Sequence, residues 1–160
     1  MVFPNRSSNR GGSRRGSAAA ELVAVAPLLF FVLIIAIDFC RLFFAYTIIT
    51  NAARNGALWA SDPYANGTVT PSQSPYATVQ DAALADADAN LGSLIVNNLN
   101  PPLTAANVTS SPTIPPQPPP GGQVSVTVQY QFNMISAYLG FSNVNLSRQV
   151  TMRVAPAAPN

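Results

Sequence analysis

Residues 22–37 read LVAVAPLLFFVLIIAI, sixteen positions without one polar side chain. A membrane-crossing helix needs ~20 predominantly apolar residues. Ala18–Ala20 lengthen this run in front, and Phe39, Leu42, Phe43 and Phe44 lengthen it behind, past Asp38 and Arg41. A secretory signal has an apolar core of only ~7–15 residues, followed by a small-residue cleavage site. No such site follows here, so the run is expected to be a retained single-pass anchor. Arg6, Arg10, Arg14 and Arg15 all precede the first acid, Glu21. Because positive charge stays on the cytoplasmic side, the N-terminus is expected inside and the last ~100 residues outside.

Composition agrees. Of 160 residues, 48% are hydrophobic and 9% charged, against roughly 25% charged in soluble domains. Beyond Glu21 the chain holds four Arg and five Asp, so its net charge of +2 arises at the N-terminus. Residues 1–16 have little to bury and read as a disordered basic leader. Nucleic-acid binding is not expected of them, since Phe3 is the only aromatic among them. The chain has no His and one cysteine, Cys40. That removes the commonest general base and metal ligand, and it excludes an intramolecular disulfide. Cys40 is read as a thiol packed in a helix. No cofactor or metal is expected.

Working outward, nothing between Ala18 and Ala60 breaks a helix except Pro27, which can kink one without ending it. Such a segment is ~65 Å long at 1.5 Å per residue, about twice the hydrocarbon thickness. Its second half is amphipathic. Ala45, Ile49, Ala52, Ala53, Gly56, Ala57 and Ala60 fall on one face, and Thr47, Asn51, Arg54 and Asn55 on the other. Asp62-Pro63 ends it. A polar loop over residues 61–74 leads to a second helix starting near Pro75 or Thr78. Ala83, Leu84, Ala87, Leu91, Leu94 and Ile95 share one side of it, and Asn100-Pro101-Pro102 closes it. The proline-rich stretch 112–122 reads as a stiff loop between strands. Val124, Val126, Val128, Tyr130 and Phe132 alternate with polar residues and mark a strand. Another is expected over Val144–Val154, with Arg148 interrupting its apolar side and therefore placed at an edge or beside an acid. Residues 107–110 offer a short third strand. The expected fold is α+β: leader 1–16, long helix 17–60, and a small extracytoplasmic domain 61–160 with a second helix and about three antiparallel strands.

Two polar features flank the membrane segment. Glu21 stands at the threshold of the apolar run, where an unpaired charge is costly in lipid. Its plain role is solvation at headgroup level, with a favourable position near a helix N-terminus. Asp38 and Arg41, spaced i, i+3, can pair on one helical face. They fit either an interfacial ion pair marking the membrane boundary or a contact between packed helices.

The segment from Arg14 to Ala60 resembles the N-terminal signature of TadE-like proteins. The shared elements are Arg15-Gly16, Glu21, Pro27, Asp38-Phe39-Cys40-Arg41 and Asn51-Ala52-Ala53-Arg54. The sequence departs from that pattern at Leu22, usually aromatic, and at Asp38 and Cys40, more often Glu and Gly. The resemblance implies a minor pilin (pseudopilin) or assembly factor of a tight-adherence pilus. It implies cleavage between Gly16 and Ser17 by a prepilin peptidase, and pairing of Glu21 with the α-amine of a neighbouring subunit. The partners implied are the bilayer, the peptidase, other pilin subunits and the assembly machinery. The location implied is a bacterial cytoplasmic membrane, with passage into an extracellular pilus. An unprocessed single-pass envelope protein with an outer binding domain is the alternative.

Weaker signals are set aside. Asp86-Ala87-Asp88-Ala89-Asn90 resembles the start of a calcium loop, but Leu91 stands where glycine is needed and Asn97 where a bidentate Glu is needed. Asn66, Asn107 and Asn145 begin glycosylation-like triplets and mark surface positions only. An enzyme is not expected. A carboxylate-only site among Asp62, Asp81, Asp86 and Asp88 is the sole form it could take.

Overall fold

The computed structural model describes residues 13–65, 74–89, 102–114, 118–140 and 143–156. Helix α1 spans Ser13–Ser61 and α2 spans Val79–Ala89. Strands β1 (Val108–Ser111), β2 (Gln123–Phe132) and β3 (Val144–Arg153) form one antiparallel sheet in the order β1-β2-β3. This is the α+β architecture expected from the sequence. The chain divides into two compact units, residues 1–37 and 38–160.

The first unit is the start of α1. The helix begins at Ser13, so Ser13–Gly16 are helical where a disordered leader was expected. Once a long helix is nucleated, adding residues at its end is cheap, and a lone glycine costs only about 1 kcal/mol. Residues 1–12, with Arg6 and Arg10, lie outside the described part. Leu22, Val23, Leu28, Leu29, Phe30 and Leu33 are all exposed. A soluble unit would hide such side chains, because burial is worth about 1.5–3 kcal/mol for each large apolar one. The stretch Ala18–Ser61 is long and apolar enough to cross a membrane.

The second unit contains the rest of α1. Its small-residue stripe is buried as the spacing predicts: Ala45, Ile49, Ala52, Ala53, Gly56, Ala57 and Ala60 all face the core. Thr47, Asn51 and Arg54 are exposed. The stripe lies against the buried side of β2, formed by Val124, Val126, Val128, Tyr130 and Phe132, and against Val79, Ala82 and Ala83 of α2. Gly56 sits at the meeting of all three. A Cβ there would lie 3.1 Å from Val126 Cγ1, 3.3 Å from Ala83 Cβ and 3.4 Å from Val79 Cγ1. Small side chains on α1 thus let the sheet and α2 approach together.

Local chemistry ends and begins the elements. After Ser61, Asp62 accepts the Tyr64 N–H at 2.9 Å, an Asx-turn that leads the chain away. At α2, Thr78 Oγ1 accepts the Asp81 N–H at 3.1 Å. That hydrogen bond is an N-cap, so Thr78 rather than Pro75 starts the helix. Leu91, Leu94, Ile95 and the closing Asn100-Pro101 lie outside the described residues. The proline-rich stretch connects β1 to β2, and Gly121 at φ +81° with Gly122 joins the tail through the Gly121 N–H to Val154 O and Val154 N–H to Gly122 O bonds.

β3 is an edge strand, and its inward positions Val144, Leu146, Val150 and Met152 are only half-buried. Arg148 stands opposite Val128. Its partner is not an acid. Its guanidinium donates to Tyr46 Oη at 3.3 Å and lies 5.9 Å from that ring. One expectation is corrected: Cys40 is exposed, not packed. It sits on the side of α1 turned away from the sheet.

Candidate functional site

Two groups of residues carry the functional argument, one in each unit. In the first, Gly16 and Ser17 lie within the opening turns of α1, with Gly16 exposed. Arg14 and Arg15 precede them on the same helix. The bond between Gly16 and Ser17 is therefore held in helical backbone. Glu21 stands on the exposed surface one turn further on.

The second group gathers around Asp38, the residue immediately after the apolar run. Its carboxylate is wholly buried. Arg41 NH1 donates to Oδ1 at 3.2 Å, the i, i+3 pair anticipated from spacing. The remaining partners come from far along the chain. Oδ1 also accepts the Ile135 N–H at 2.9 Å, and Oδ2 accepts the Ser136 N–H at 2.7 Å. These two amides open the short 3-10 turn Ile135–Leu139 that links β2 to β3. The first amides of any helical turn lack partners within it, and a carboxylate satisfies two of them while their dipoles favour its charge. Ser136 is buried, and among the described residues no atom meets hydrogen-bond geometry with its Oγ. Gly140, at φ +95°, closes the turn in the left-handed region.

Arg41 has a second contact, with its guanidinium carbon 5.2 Å from the centroid of the Phe132 ring. The cation is thus held between a carboxylate and an aromatic face. Together Asp38 and Arg41 fasten α1 to the far end of β2 within one chain. The distant half of this arrangement was not legible in the sequence. A lone acid bordering an apolar run was its one visible sign.

The comparisons with known proteins bear on the same stretch of helix. The family described as TadE-like protein matches residues 16–58. Residues 16–58 are thus similar to that family. The match begins at Gly16, includes Glu21, Asp38 and Arg41, and runs through the small-residue stripe to Leu58. It ends before α2 and the sheet. No curated protein and no solved structure matches the chain. The matched stretch lies in the helix that is long and apolar enough to cross a membrane.

The remaining candidates fall where the fold explains them. Asp86 and Asp88 lie in α2, whose helical backbone cannot wrap a cation as a calcium loop does. Asp81 opens that helix, and Asp62 makes the turn after α1. Asn145 is exposed on β3, and Asn107 Oδ1 accepts the Thr104 N–H at 2.8 Å. Asn66 lies outside the described residues.

Proposed function

We propose that this chain is a minor pilin or assembly factor of a tight-adherence pilus, held in the bacterial cytoplasmic membrane by α1 before assembly. The observation that carries the reading is the TadE-like match, which starts at Gly16 and spans Glu21 and the apolar run. A prepilin peptidase hydrolyses the Gly16–Ser17 amide, leaving a carboxylate on Gly16 and a free α-ammonium on Ser17. Glu21, four residues further on and exposed, then offers a carboxylate to the α-ammonium of a neighbouring subunit. In lipid the attraction within such a pair is far stronger than in water, because the surrounding dielectric constant is low. The exposed apolar side chains of α1 supply the remaining contact with lipid or with other subunits. The N-terminus faces the cytoplasm, since four Arg precede Glu21. This chain contributes the substrate bond and no catalytic group.

The test is the N-terminal residue of the protein isolated from its native membrane. A start at Ser17 is expected. Glu21→Ala is expected to leave insertion intact and to reduce incorporation into pili; equal incorporation refutes the pairing role. The alternative is an unprocessed envelope tether. It is favoured by the helical state of Gly16–Ser17, because a peptidase needs its substrate extended and must first unwind that turn. A start at Met1 or Val2, with the peptidase present, decides for the tether.

A further inference from the structure

β3 closes one side of the sheet. Among the described residues it pairs with β2 alone, in an unbroken register from Val144 opposite Phe132 to Arg153 opposite Gln123. About half of the N–H and C=O groups along such a strand point away from its neighbour. A row of that kind is a template for a further strand. Neither a bulge nor a proline blunts it over its 10 residues.

The side chains of β3 describe the strand that fits. Val144, Leu146, Val150 and Met152 are half-buried, whereas the corresponding row of β2 is buried throughout. An incoming strand with apolar residues at every second position covers what α1 and β2 leave open. One position in the row is different. Arg148 is exposed, and its guanidinium reaches only the Tyr46 hydroxyl, at 3.3 Å, on a ring that is itself 41% exposed. Among the described residues no carboxylate lies within ion-pair distance of it. Residues 89–160 contain no Asp or Glu at all. A cation set in an apolar row favours a strand that brings an acid opposite it and opposes one that does not. A second copy of β3 brings Arg148 and Arg153 and no acid, so like charge opposes self-pairing.

We propose that the open edge of β3 receives an extended segment of another protein, with alternating apolar residues and a carboxylate that pairs with Arg148. Main-chain hydrogen bonds along the edge supply the affinity, and the half-buried row with its one cation supplies the selection. The site lies wholly within residues 38–160 and holds whether or not Gly16–Ser17 is cut.

The test uses the full chain in detergent micelles and a fluorescein-labelled ten-residue peptide of alternating Val and Thr. Glu, Gln or Lys replaces one central Val in turn. Anisotropy reads the binding, and amide hydrogen exchange reads the place. The Glu peptide should bind about two- to five-fold more tightly than the Gln peptide, the range for a solvent-accessible ion pair, and the Lys peptide more weakly than either. Arg148→Gln, an exposed change that leaves the core intact, should abolish that preference without abolishing binding. Exchange should slow at alternate amides of β3 and not at β1. Equal binding of the three peptides to the native chain overturns the inference, and so does protection confined to β1. Absence of binding by all three does the same. Protection of the β3 edge without peptide also overturns it: if it grows with protein concentration the occupant is a second copy, and if it does not the chain covers its own edge.

Discussion

Replacing Asp38 by Asn keeps the shape of the side chain and removes its charge and one acceptor. In the native fold each oxygen accepts one amide, Oδ1 from Ile135 at 2.9 Å and Oδ2 from Ser136 at 2.7 Å. Asn can accept only one of these through its carbonyl, and its NH2 must face the other donor. A hydrogen bond to a charged acceptor is worth about 1.5–3 kcal/mol. The bond that survives weakens by about 1 kcal/mol as its acceptor becomes neutral. Against this, the variant no longer keeps a charge buried, which offsets part of the loss. The net destabilisation is about 2–3 kcal/mol, concentrated at the 3-10 turn. The assay is amide hydrogen exchange at Ile135 and Ser136 in the full chain in micelles. Exchange should accelerate about 30- to 150-fold, taking 1.36 kcal/mol as tenfold. Arg41→Gln provides the contrast. It removes a half-exposed partner and should cost under about 1 kcal/mol. If Asp38→Asn changes exchange at Ser136 no more than Arg41→Gln does, the carboxylate is not the acceptor that holds the turn, and the reasoning fails.

Other outcomes follow from the packing. Gly56→Leu should destabilise the domain by about 2–3 kcal/mol, because even a Cβ meets three neighbours within 3.4 Å; thermal unfolding against Gly56→Ala, where a helix-propensity gain of about 1 kcal/mol opposes the crowding, measures it. Arg148→Ala should cost less than about 1 kcal/mol in the same melts, since its contacts with Tyr46 are exposed. Burial holds the Tyr130 phenol above its ordinary value of 10.0, with the Arg41 charge acting in the opposite sense. The folded chain then retains that proton after the unfolded chain has lost it, so stability is full below about pH 10 and falls as pH rises through the raised value. Tyr130→Phe should flatten this alkaline loss, and an unchanged slope in the variant would show that Tyr130 is not its source.

Much of this was legible because helices and strands carry periodic signals. The stripe from Ala45 to Ala60 is buried residue for residue, as 3.6-residue spacing requires, and Val124 to Phe132 alternate as a strand with one covered face must. The Asp38–Arg41 pair was visible for the same reason, since i, i+3 positions are neighbours on any helix. Less legible were the contacts made by groups without a period. Cys40 was expected to be packed, yet it lies between Phe39 and Arg41 on a helix covered on one side only, and it falls on the open side.

The sequence by itself determined a helix long and apolar enough to cross a membrane, the two-helix and three-strand plan and the similarity of residues 16–58 to TadE-like proteins, because each rests on residues close together along the chain. Only the tertiary structure decided which partner a charged side chain takes. Asp38 is bonded to amides 97 and 98 residues away, and Arg148 to a phenol 102 residues away. Backbone amides occur at every position and leave no mark in residue type. Their choice of acceptor is set by where a turn ends in space, and that place exists only once β2 has packed along α1.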